Sequence, residues 1–211
     1  MTTIGFIGAG NIGQAVARLV LDQGYDVVLS NSRGPETLAG VVDGLGPKAV
    51  SDTSQGAAER GELVVVTVPF KAYADVPAEP LAGKVVIDTN NYYPARDGQF
   101  PELDDKTKTS AGMLQEHLPE SHVVKAFNHI MSAHLLEHRQ PAGTPGRRAL
   151  AIAGDDAEAK ATVSRLIDEL GFDVVDVGPL AESWRIEPGT PGYGPRLTAE
   201  ELREALAAAQ R

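Results

Sequence analysis

The segment Gly8-Ala9-Gly10-Asn11-Ile12-Gly13 carries the glycine spacing of a loop that receives the pyrophosphate of a dinucleotide. The pattern alone says little, because glycine-rich turns are common. Its placement gives it weight. An apolar strand-like run, Thr3–Ile7, precedes it, and a helix-like run over residues 11–23 follows, with Ile12, Ala15, Val16, Leu19 and Val20 at three- and four-residue spacing. In such a turn Gly8 permits the bend, Gly10 admits the pyrophosphate to the backbone and Gly13 lets the helix approach the strand. Ala9, Asn11 and Ile12 complete the loop and the first helical turn, whose free amides and partial positive charge favour phosphate.

The end of the next strand-like run, Asp26–Ser30, selects the dinucleotide. A carboxylate there would accept from a ribose 2′-hydroxyl, as NAD requires. The sequence instead reads Asn31-Ser32-Arg33. Arg33 is suited to pair with a 2′-phosphate and to stack on adenine, and Ser32 to donate a hydrogen bond to the same phosphate. NADP(H) is therefore expected over NAD(H).

Further candidates lie after later strand-like runs, where an open α/β sheet binds its ligands. Asn90-Asn91-Tyr92-Tyr93 follows the run ending at Asp88, and Asn90 is the preferred contact to nicotinamide or acceptor, against a plain asparagine-rich turn. Tyr193 and Trp184 have rings suited to cover an aromatic acceptor, although packing is the expected role of Trp184. His134-Leu135-Leu136-Glu137-His138 matches an inverted zinc-protease pattern. It lacks an evident third ligand and precedes a flexible linker, so a solvated helix face is expected and no metal. Asp52, Asp75, Asp104 and Asp105 read as surface charge.

The elements that must position these residues alternate along the chain. Strand-like runs cover residues 3–7, 26–30, 62–68, 84–88 and 122–126, and several are near-continuous apolar stretches of the kind central parallel strands require. The fold class expected is α/β, a Rossmann-type doubly wound parallel sheet with right-handed crossovers. Residues 139–146 (RQPAGTPG) form the clearest break. It divides an NADP-binding domain, 1–138, from a small C-terminal α/β extension, 139–211, that completes the sheet. The extension should hold strands at 148–153 and 172–177, a helix at 156–170 and a final helix at 198–210 that opens on the capping box Thr198 to Glu201.

Composition bounds the partners. The chain has 211 residues and a formal net charge of −10, so it lacks the basic surface that nucleic acid or an anionic membrane needs. With no cysteine, thiolate chemistry and disulfides are excluded. No stretch approaches the ~20 apolar residues of a bilayer span, and the first residues do not read as a secretory signal, so a cytoplasmic location is expected.

GAGNIG, the Asn31-Ser32-Arg33 clamp, Thr67-Val68-Pro69-Phe70, Gly154-Asp155-Asp156 and Asp176-Val177-Gly178-Pro179-Leu180 together resemble the coenzyme F420-dependent NADP oxidoreductases. Val123-Val124-Lys125-Ala126-Phe127-Asn128, with the segment from Ser183 to Glu187, is similar to the cytosolic reductase domain of STEAP metalloreductases. The resemblance implies that Val68, Pro69 and Phe70 lie beside the nicotinamide half of the cofactor and that Ala126 and Asn128 also bind the cofactor. It also implies hydride exchange between NADP(H) and coenzyme F420 or a flavin (FMN or FAD), a small-molecule acceptor as partner, and a homodimer. Such a transfer rests on alignment, so no protein acid or base is obligatory. Reduction of a small carbonyl or imine is the alternative and would need a proton donor, for which Lys125 and His129 are the candidates. A non-catalytic NADP(H) sensor is a third reading. After its Gly-Pro-Leu landmark the chain departs from the family, running through EPGTPGYGP into a charged helix.

Overall fold

The computed structural model describes residues 2–211. The first half builds β1 (Thr3–Ile7), α1 (Asn11–Asp22), β2 (Asp26–Ser30), α2 (Ala39–Leu45), β3 (Ala49–Ser51), α3 (Ser54–Arg60) and β4 (Leu63–Val66). Then follow β5 (Val85–Asp88), three short helices α4 (Pro94–Asp97), α5 (Pro101–Asp104) and α6 (Ser110–His117), β6 (His122–Lys125) and α7 (Ser132–Glu137). The chain closes with β7 (Ala149–Gly154), α8 (Ala157–Glu169), β8 (Asp173–Asp176) and α9 (Ala199–Ala208).

The strands form one eight-stranded sheet in the order β3-β2-β1-β4-β5-β6-β7-β8. Neighbours from β3 through β6 are parallel, as the apolar, two-sided strands demand. The expectation of a wholly parallel sheet needs one correction. β7 runs antiparallel to β6, pairing Val124 with Gly154 and Lys125 with Ala153, and β8 then runs parallel to β7. The Pro/Gly-rich segment 139–146 lies between α7 and β7 and supplies the slack for that reversal.

Register explains where a ligand must go. Ile7 lies opposite both Ser30 and Val66, Val66 opposite Asp88, and Asp88 opposite Lys125. Five parallel strands thus end in one row, and the loops after them share one edge. Strand order reverses between β1 and β4, leaving a crevice at that edge because successive crossovers leave in opposite directions. The largest apolar cluster joins Phe6, Val16, Leu19 and Val65 to Leu150, Ile152, Val163 and Phe172, so one core face runs across the break at 139–146. A second cluster on the other face packs Val64, Val66 and Val86 against Leu114 and Leu118. Among the described residues no helix is long and apolar enough to cross a membrane.

Candidate functional site

The glycine loop takes the conformation its residue types allow. Gly8 has φ 107°, and a Cβ there would sit 2.2 Å from the Thr67 carbonyl oxygen. At Gly13 a Cβ would meet the Gly8 carbonyl oxygen and Thr67 Cγ2, each at 2.7 Å, so only glycine lets α1 settle on β1 and β4. Gly10 differs, with nothing within 4 Å of a Cβ position. It is the N-cap of α1 and brings no side chain to the first-turn amides, which are left for a ligand.

Two clefts of about 330 Å³ each open on this edge. They meet at Gly10, Thr67, Val68 and Pro69, which line both. The outer cleft runs from Gly8, Ala9 and Gly10 to Asn31, Ser32 and Arg33. Asn31 shapes that end: its Oδ1 accepts from the Arg33 amide at 2.9 Å and its Nδ2 donates to Thr37 Oγ1 at 2.9 Å. The exposed Arg33 guanidinium has no partner among the described residues. Asp75, expected as plain surface charge, also lines this cleft.

The inner cleft is bounded by Asn11, Ile12, Asn90, Asn91, Tyr93, Arg96, Asn128 and Tyr193, among others. Asn90 is only 3% exposed. Its Oδ1 accepts from the Val68 amide at 3.0 Å, which fixes the orientation of the side-chain amide, and its Nδ2 has no hydrogen-bond partner. A buried donor left unpaired is costly unless a ligand completes it.

Lys125 and His129 stand behind this wall and do not line it. The fully buried Lys125 ammonium bonds Asp88 Oδ2 at 3.0 Å, Ser110 Oγ at 3.1 Å and the Asn90 carbonyl. Asp88 in turn accepts from the Asn90 amide at 2.8 Å, so the ion pair grips Asn90 from both sides. His129 Nε2 accepts from the Ala151 amide at 3.0 Å, and its Nδ1 faces Asn128 Oδ1 at 3.3 Å. Burial first, then the charges of Arg148 and Lys125, push the His129 pKa down to about 3, so the ring is neutral. These placements give both residues positioning work and take them away from a proton-donor role.

Two other expected contacts sit differently. Phe70 is wholly buried, stacked 4.9 Å from Tyr73 and edge-on to Phe100 at 5.0 Å, in an aromatic cluster below the cleft. Ala126 is also buried, its amide donating to the Asp88 carbonyl at 3.0 Å. Neither borders the clefts. Asn91 and Tyr93 belong to the run that the sequence offered as contacts beside the preferred Asn90, whereas Arg96 was not singled out.

The His134/His138 pair is not a solvated face. The rings stack at 4.3 Å, and buried Arg148 donates to His138 Nδ1 at 2.8 Å. With Glu137, ligand atoms lie within 4.8 Å of one another, but the adjoining guanidinium opposes a cation there. Trp184 packs under the Arg185 guanidinium at 4.4 Å.

Set beside known proteins, residues 3–92 match the sequence profile of the family described as NADP oxidoreductase, coenzyme F420-dependent. The chain belongs to that NADP oxidoreductase family. A hypothetical protein from Sinorhizobium meliloti has 32% identity and a TM-score of 0.75, with 94% of each chain covered. A candidate F420-dependent NADP-reductase from Arthrobacter sp. FB24 has 28% identity and a TM-score of 0.72, covering 85% of this chain and 86% of that one. Rat metalloreductase STEAP3 is 32% identical over 186 residues, 87% of this chain. The chain spans about a third (35%) of that relative's length.

Proposed function

We propose that this chain binds NADP(H) across the two joined clefts and exchanges a hydride with coenzyme F420 or a flavin at the inner one. The observation that carries the reading is the pairing of two unfilled binding requirements on one edge. At one end stand the uncapped α1 amides with the free Arg33 and Ser32; at the other stands the orphaned Asn90 Nδ2. The distance between them is spanned by a single loop wall, Thr67 to Pro69, as a dinucleotide needs. Bound nicotinamide would supply the two-electron chemistry, while the protein holds and orients it.

Gly8, Ala9 and Gly10 would face the pyrophosphate, Asn31, Ser32 and Arg33 the adenosine 2′-phosphate, and Asn90, Asn128 and Val68 the nicotinamide side. The open inner cleft, with aromatic and amide walls, suits a planar heteroaromatic acceptor stacked on the cofactor. Anaerobic mixing of the protein with NADPH and either F420 or FMN tests this. Matched loss of NADPH and acceptor absorbance is expected. Turnover of carbonyls or imines with neither F420 nor FMN reduced would replace the acceptor, and tight NADPH binding without any turnover would make the chain a sensor.

A further inference from the structure

Resting on that reading, the structure supplies a proton source that the family resemblance did not require. Tyr93, just past β5, and Tyr193, in the Pro/Gly-rich segment before α9, are 100 positions apart, yet their hydroxyl oxygens lie 2.5 Å apart in the inner cleft wall. We propose that Tyr193 is the general acid for the acceptor, and that Tyr93 replenishes its proton from solvent.

The hydrogen-bond directions from Ala151 through Asn91 to Tyr193 follow one from another. Ala151 N–H donates to His129 Nε2, so the proton of the neutral ring is on Nδ1, which donates to Asn128 Oδ1. That leaves Asn128 Nδ2 to donate to Asn91 Oδ1 at 3.1 Å and to the Ile186 carbonyl at 2.7 Å. Asn91 Nδ2 then donates to the Asn128 carbonyl at 2.7 Å and to Tyr193 Oη at 3.4 Å. Asn91 thus donates to Tyr193 Oη, while the Tyr93–Tyr193 bond can run either way; with Tyr93 donating, the Tyr193 proton faces the cleft. Tyr93 is 36% exposed and meets water directly. The backbone around Tyr193 is tied down by Gly194 N–H to the His129 carbonyl at 3.1 Å and by Arg148 to the Gly194 and Pro195 carbonyls at 3.2 and 3.1 Å.

The charged neighbour fits the same role. Arg96 lies 4.9 Å from the centre of the Tyr93 ring, and its positive charge opposes the rise that burial imposes on the Tyr193 pKa. Asp97 pairs with Arg96 at 2.8 Å and keeps it in place. The protic side chains of Lys125 and His129 are committed behind the wall.

The acceptor receives a hydride from NADPH, which leaves as NADP⁺, and negative charge develops on the heteroatom conjugated to the receiving atom. Tyr193 gives its proton to that heteroatom as the new N–H or O–H bond forms. The Tyr93 proton moves to Tyr193, and water restores Tyr93. The substrate class is thereby narrowed to acceptors with a basic carbonyl oxygen or ring nitrogen in conjugation with the hydride-receiving atom.

Tyr193→Phe, with Tyr93→Phe beside it, is compared using F420, FMN and the 10-methylacridinium cation, which takes a hydride without needing a proton. Loss of a general acid should slow F420 or FMN reduction by Tyr193→Phe about 100-fold and abolish its solvent deuterium isotope effect. The ratio of that rate to acridinium reduction should fall by a similar factor. An equilibrium readout accompanies it. Quenching of F420 or FMN fluorescence in the presence of NADP⁺ should show the acceptor bound about fivefold more weakly, as loss of one hydrogen bond implies. Tyr93→Phe should slow the same reaction less and keep acceptor affinity. Equal slowing of all acceptors, or an isotope effect that survives in Tyr193→Phe, would overturn the proposal while leaving the proposed function intact. A wild type that reduces none of these acceptors would overturn both.

Discussion

Replacing Lys125 with methionine separates a positioning lysine from a proton donor. Neither its side chain nor that of Asp88 is exposed, and the two are 3.0 Å apart. Lys125→Met strands the Asp88 carboxylate with only the Asn90 amide to satisfy it and removes the donor to the Asn90 carbonyl. Breaking a buried pair from one side costs about 3–5 kcal/mol. For a chain of this size each kcal/mol moves the melting temperature by about 2–4 °C, so a fall of roughly 6–20 °C is expected. Adding Asp88→Asn removes the stranded charge and should recover at least about 1 kcal/mol. Urea denaturation gives the stability change, and an NADPH titration shows whether Asn90 has moved, which should weaken binding. The pH dependence of turnover should keep its shape. A variant with unchanged denaturation midpoint that loses an inflection in the pH–rate profile would refute the positioning role.

Arg33→Ala should weaken NADPH by roughly 10- to 100-fold, the worth of a charge-assisted bond to phosphate, and NADH no more than about threefold; added salt should narrow the difference, because Arg33 is exposed. The neutral, buried His129 predicts acid sensitivity: its folded pKa near 3 lies below the unfolded value of 6.5, so the native state binds fewer protons. Its contribution is full above pH 6.5 and is lost as pH falls toward 3, at about 1.4 kcal/mol per unit; His129→Gln should flatten that slope in denaturation curves taken between pH 7 and 4. Thr198→Ala removes the capping box at the start of α9 and should cost about 1 kcal/mol by chemical denaturation, with no effect on NADPH affinity.

The parts of the fold visible in the sequence are those whose signal is local. The runs at β1, β2, β4, β5 and β6 are apolar on both faces, and the bounds expected for them differ from the observed strands by no more than two residues at either end. β3 was not legible, because three residues, Ala49–Ser51, carry no period. The antiparallel turn into β7 was not legible either, since strand direction is set by a loop path and not by composition. The glycine loop and Asn31-Ser32-Arg33 could be read because contiguous residues form that end of the cleft. Of the inner cleft, Asn90, Asn128 and Tyr193 could be named one by one, but that Tyr93 meets Tyr193 could not, because the two come together only once the whole sheet is assembled. Phe70 came only from the family resemblance, and nothing local in the sequence showed that Tyr73, Tyr92 and Phe100 would surround it. Arg148 gave no sign of its burial in the sequence, yet it links α7 to the loop bearing Tyr193.

The most direct test of NADP(H) binding across the joined clefts is calorimetric titration of the wild-type chain with NADPH and with NADH. One NADPH per chain is expected, bound at least about tenfold more tightly than NADH, as a 2′-phosphate clamp at Arg33 requires. Equal affinity for the two nucleotides would contradict the clamp, and binding of neither would contradict the site itself.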